Sequence, residues 1–217
     1  MSLSTATPER LPDIERLRLL TKWIAMLDAI ICPEWEYRYY SYDSKWGHDE
    51  ELASMRNGCG DDWFLFFDRH GAALKGFAHE YSLAGEPSFA ARIQETIPPV
   101  FASFLREPAF SMDMASFCIW RDRTDPAWSV VSPVNGRVSP EEDGSAELIG
   151  ILEGNPGTYR VWAANYYERE IPLPAVQAIY GHQTLSEHLI ATLNSECALS
   201  DVNSDALEIG YPSQPSP

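Results

Sequence analysis

The chain has 217 residues, with 32 acidic and 16 basic side chains and a formal net charge of -16. Apolar residues make up 45% and charged residues 22%, which excludes wholesale disorder. With 13 Gly and 4 Cys, collagen-like and disulfide-scaffold classes are excluded too.

The charge is uneven. Residues 138–217 hold 12 acidic groups and 2 basic ones, Arg160 and Arg169, and no Lys follows Lys75. Such a surface repels phosphate backbones and anionic headgroups, so neither nucleic acid nor membrane is expected as a partner. A basic protein partner would be attracted. No uncharged apolar run reaches about 18 residues, and the best stretch, residues 17–32, carries Arg18, Lys22 and Asp28. The start of the chain has no basic segment followed by an apolar one, the pattern of a secretory signal. Cys32, Cys59, Cys118 and Cys197 lie far apart with no CxxC pair, so free thiols and a cytoplasmic setting are expected.

Residues 1–10 read as a flexible tail. Leu17, Leu20, Ile24, Leu27 and Ile31 then recur every three or four positions, which predicts a helix ended by Pro33. Residues 35–42 alternate at first and are aromatic, predicting a strand. Residues 43–61 read as a polar loop with a helical turn at 50–55. Residues 62–67 and 72–79, around the turn 68–71, predict a hairpin. Phe89, Ile93 and Ile97 mark a short helix stopped by Pro98 and Pro99, and residues 100–105 suggest another turn or two.

Residues 116–121 predict a strand, paired with residues 128–131. Residues 132–145, with Pro, Gly and three consecutive acids, read as an exposed loop. The type of 146–152 stays open. Asn155 and Pro156 look like a helix start, with Tyr159, Trp162, Ala163 and Tyr166 on one face. Leu173, Val176 and Ile179 suggest a further short helix. Thr184 and Glu187 have capping-box spacing before Leu185, Leu189 and Leu193. Residues 210–217 read as a second flexible tail. Helices and antiparallel strands cluster rather than alternate, which predicts α+β: one domain over 11–209, a single mainly antiparallel sheet with helices packed on it.

Chemistry-bearing motifs are sparse. There is no GxxxxGK[ST], GxSxG or HExxH, so no cofactor or metal is expected. Asn57-Gly58-Cys59-Gly60 precedes an apparent strand instead of following one, so it reads as a turn and not as a phosphate loop. The best covalent option pairs Cys59 with His79, with Asp61, Asp62 or Glu80 as third group, since a neighbouring base activates a thiolate. His48-Asp49-Glu50 and His79-Glu80 are fragments of metal sites without a third convergent ligand.

The aromatics stand out: 7 Trp, 10 Tyr and 9 Phe. Trp35, Tyr37, Tyr39, Tyr40 and Tyr42 put rings on both faces of one predicted strand. Either a helix covers the second face, or Tyr40, Tyr42 and Trp46 meet a partner, as interface aromatics do. Glu141, Glu142 and Asp143 are the matching acidic candidates.

Residues 54–67, with 76–80 after them, and further Phe117-Cys118-Ile119-Trp120 and Glu208-Ile209-Gly210-Tyr211, resemble a group of uncharacterised bacterial proteins. No activity is attached to that group, so the resemblance implies no site residue. The small acidic immunity proteins of bacterial toxin systems are similar in class, sharing an α+β fold and strong negative charge but no motif. The expectation is a non-catalytic protein-binding module. The alternative is an enzyme or ligand binder with a pocket around Cys59, Asp61, Asp62 and His79.

Overall fold

The computed structural model describes residues 3–133, 136 and 139–213. It is α+β, 47% helical and 18% strand, around one antiparallel sheet. The first helix, α1 (Ile14–Ile31), starts on Asp13, whose side chain accepts from the Arg16 N–H. The strands follow as β1 (Tyr40–Gly47), β2 (Glu50–Arg56), β3 (Asp62–Phe67), β4 (Gly71–Phe77), β5 (Phe117–Asp122) and β6 (Ser129–Val130). They lie in the sheet in that same order, so every pairing joins consecutive strands.

Between β4 and β5 come α2 (Pro87–Thr96), α3 (Ala102–Arg106) and 3-10 turns at Pro99–Phe101, Pro108–Phe110 and Met112–Met114. After β6 come α4 (Pro140–Asp143), α5 (Ser145–Leu148), α6 (Pro156–Tyr166), α7 (Leu173–Tyr180), α8 (Glu187–Leu193) and α9 (Asn203–Ile209).

Strand alternation sorts side chains onto two faces. Met55, Trp63, Leu65, Phe67, Leu74, Phe117 and Ile119 share a core with α1 and with residues of α6–α9. Leu52, Phe64, Phe66, Ala73, Cys118 and Trp120 share the other with α2, α3 and the 3-10 turns. Covering both faces explains why residues 63–67 form an unbroken apolar run, which a one-sided antiparallel sheet would not contain. Gly76 makes room for its cross-strand neighbour: a Cβ there would stand 1.9 Å from the Phe117 ring.

Several expectations need correction. Residues 3–10 are not a loose tail: Leu3 is fully buried and Thr5 hydrogen-bonds to Asp143 and to Ser145. Residues 210–213 are anchored as well, by buried Tyr211 and a bridge from Ser213 to Leu185; 214–217 lie outside the described residues. The segment 132–145 is not all exposed loop. Its 134, 135, 137 and 138 lie outside the described residues, but α4 closes it and Asp143 is buried.

Residues 35–42 begin with a 3-10 turn at Trp35–Tyr37, and the strand starts only at Tyr40. Trp46 belongs to that strand and not to a loop. The segment 50–55 is no helical turn; it is most of β2, which pairs with β3 over six consecutive residues. Helix-forming Glu, Leu, Ala and Met there are overridden by cross-strand packing. The N-cap of α8 is Ser186, whose Oγ accepts from the Leu189 N–H, in place of Thr184.

Candidate functional site

The catalytic alternative can be tested group by group. Asn57 organises the turn before β3, its Oδ1 accepting from the N–H groups of Cys59 and Asp61 at 2.8 and 3.0 Å. Gly58 and Gly60 supply the positive φ angles this turn requires. Asp61 then faces His79: its Oδ1 lies 2.7 Å from His79 Nδ1 and accepts from the His79 N–H. Burial alone would raise the Asp61 carboxyl, but the hydrogen bonds from His79 and Asn57 outweigh it and hold the group below its usual range. The hydrogen bond to Asp61 raises His79 in turn.

Asp62 turns to the opposite partner, accepting from Lys75 Nζ at 2.7 Å. Cys59 is exposed, and among the described residues no hydrogen bond joins it to His79. The expected quartet therefore separates into an Asp61–His79 pair, an Asp62–Lys75 pair and a lone thiol. Among the described residues no three His, Cys, Asp or Glu side chains are disposed to hold a metal ion.

The expected partner face also changes. Tyr40 and Tyr42 are buried in the α1 core, with the Tyr42 hydroxyl donating to Glu51 Oε2 at 2.7 Å. Trp46 is half-exposed and stacks on Phe110. Glu141 and Glu142 stand in solvent. Asp143 points inward, accepting from the Thr5 hydroxyl and the Ser145 N–H, so it is structural.

The structure instead exposes a different aromatic set. Trp35, Tyr37 and Tyr166 are 59%, 62% and 41% exposed and border one groove. Its cavity of about 270 Å³ is also lined by Glu36, Arg38, Tyr39, Ser41, Ser54, Arg56 and Gly58. The floor is the strip of β1 and β2 where Ser41 pairs with Ser54. This strip shares a face with Leu52 and Phe64 but lies outside the core that α2 and α3 form over that face.

The walls are held firmly. Asp28 on α1 accepts from the N–H groups of Tyr39 and Tyr40 at 3.1 and 2.8 Å, fixing the entry to β1. Its other oxygen accepts from the Tyr159 hydroxyl on α6 at 2.7 Å. The Tyr39 ring meets Trp162 and Tyr166 edge-on at 4.8 and 5.0 Å. Arg38 fastens the 3-10 turn to the carbonyls of Cys32 and Pro33 and to Asp205 on α9. Burial pushes the Tyr39 phenol up to about 12.

In the sequence Trp35 and Tyr37 look like strand residues only. Pro33 at the helix end and the charged neighbours Glu34, Glu36 and Arg38 were the available signal that no buried strand begins there. The spacing of Tyr166 marks a helix face but not that it stands at the exposed end of α6.

At the far end of the sheet a polar cleft of about 300 Å³ is lined by His48, Asp49, Glu50, Asp68, Arg69 and His70. The Asp68 side chain is engaged there in its own turn, accepting from the N–H groups of His70 and Gly71. Among the described residues no helix is long and apolar enough to cross a membrane. Compared with known proteins, the chain matches no family model, no curated protein and no solved structure.

Proposed function

We propose that this protein is a non-catalytic binding module that docks a basic partner protein, with the groove of Trp35, Tyr37 and Tyr166 as its contact surface. The observation that carries this reading is the exposure of three large rings around one groove, in a chain that buries most of its other aromatics. Such rings supply rigid apolar area with a polar tip, the chemistry of interface hot spots. The net charge of -16 supports a partner of opposite sign, whose encounter it would accelerate. The four free thiols support a cytoplasmic setting.

The test is a pull-down from the native host with the wild-type chain and with Trp35→Ala/Tyr37→Ala. Both residues are exposed, so the variant should fold. The expected result is a basic protein retained by the wild type, lost by the variant, and associating faster at low salt. No partner, or one that the variant retains equally, overturns the reading.

A further inference from the structure

We propose that the floor of this groove is a carboxylate-binding site. Arg56, with the hydroxyls of Ser41 and Ser54, would take the C-terminal carboxylate of a partner chain whose last side chain lies flat against Trp35, Tyr37 and Tyr166. The inference rests on the groove being the docking surface and names the group that enters it.

Three observations converge. The first is the state of the two lining cations. Arg38 is consumed by two carbonyls and Asp205. Arg56 is exposed, and among the described residues it has no carboxylate partner, although the chain holds 32 acids. Its guanidinium instead lies 5.4 Å from the centre of the Phe64 ring. Its cross-strand neighbour Asp62 is engaged with Lys75 and Asp61 with His79, and Glu36, which lines the groove from the 3-10 turn, forms no ion pair with it among the described residues. A guanidinium left in this state offers the planar fork that suits a carboxylate.

The second is the pair of hydroxyls. Ser41 and Ser54 face each other across β1 and β2 beside Arg56, and among the described residues neither hydroxyl donates or accepts. Strand positions usually favour β-branched or aromatic side chains. Two small donors here leave depth and hydrogen-bonding capacity under the rings.

The third is size. A cavity of about 270 Å³ holds one residue and no folded element. The flat body and the carboxylate must then belong to the same residue, which within a protein is its C-terminal one. The overall negative charge governs approach from a distance, and the Arg56 guanidinium on the floor governs what seats, so a basic partner and an anionic tip are compatible.

The test uses the full chain and a short uncharged peptide ending in phenylalanine, as free acid and as amide, read by tryptophan fluorescence. The acid should saturate the signal, and the amide should bind at least about tenfold more weakly, as expected for losing a charge-assisted hydrogen bond. Arg56→Gln, exposed and expected to fold with an unchanged Tm, should bring acid and amide together. Trp35→Ala should weaken both. Equal binding of acid and amide to the wild type, no binding of either, or a preference that survives Arg56→Gln overturns the assignment. N-acetyl-phenylalanine carries the same ring and carboxylate and should bind about as well as the peptide, because the cavity holds one residue; far weaker binding overturns that fit. A preference that fails while Trp35→Ala/Tyr37→Ala still abolishes capture of the partner sinks this inference alone; no partner, or one that this variant retains equally, sinks the groove reading beneath it.

Discussion

The Asp28 carboxylate is wholly buried, and burial raises its pKa from 3.8 to about 6 against the opposing hydrogen bonds of Tyr159, Tyr40 and Tyr39. The folded chain thus holds this proton more tightly than the unfolded one. Its stabilising effect is full below about pH 4, is lost as pH rises to about 6, and is level beyond, a span of roughly 3 kcal/mol. Urea midpoints measured between pH 4 and 7 should show that decline in the wild type. In Asp28→Asn the decline should be flattened, with lower stability throughout because the amide group turns a donor toward donors.

Lys75 poses the converse case. Its side chain is fully buried, and burial lowers its pKa although the ion pair with Asp62 opposes this. Removing the acid strands a buried cation, while removing both charge and solvation cost need not harm the fold. Asp62→Asn should therefore cost about 3 kcal/mol, and Lys75→Met should stay within about 1 kcal/mol of the wild type. Equal losses in thermal unfolding would show that the ion pair is not what keeps the lysine inside.

Among the elements, the β3–β4 hairpin is central. Phe66 is 1% exposed and packs against Phe104 and Phe110. Phe66→Ala should cost about 3–5 kcal/mol in denaturant unfolding. Phe64 is buried beside it, while Phe77, at the strand end, is only partly covered. The hairpin, the pairing of β5 with β6 and the Asn155 cap could be read from sequence because each is a local pattern. β2 could not, since its residues favour helix and only the neighbouring strand overrules them. Nor could the anchoring of the N-terminal segment, because Thr5 and Asp143 lie 138 positions apart. Thr5→Val should cost about 1–2 kcal/mol for the lost hydrogen bond, which the same unfolding experiment would detect. The groove was hidden for a related reason: aromatic residues at two-residue spacing suit a buried strand as well as an exposed turn, and the turn is fixed by Arg38 and Asp205, 167 positions apart.

At the scale of the whole molecule, charge should act on encounter more than on residence. Glu141→Gln/Glu142→Gln removes two exposed acids and leaves the structural Asp143 in place. Stopped-flow association with a basic partner should slow, with little change in dissociation, and the difference should shrink as salt rises. The meander of strands in chain order has a separate consequence for synthesis. The sheet and α1 are complete once residue 130 has been made. Yet α1 finds its partners far later: Trp23 bonds His182, the Ile31 carbonyl accepts from Arg169, and the Ile30 carbonyl accepts from Asn194. While the chain is still being translated, α1 and the sheet face beneath it lack the covering that α6–α9 provide. The nascent chain is thus at its stickiest after β6 has been made and before α6–α9 emerge. A chain stopped after residue 155 should bind chaperones or aggregate and not persist as a smaller folded unit.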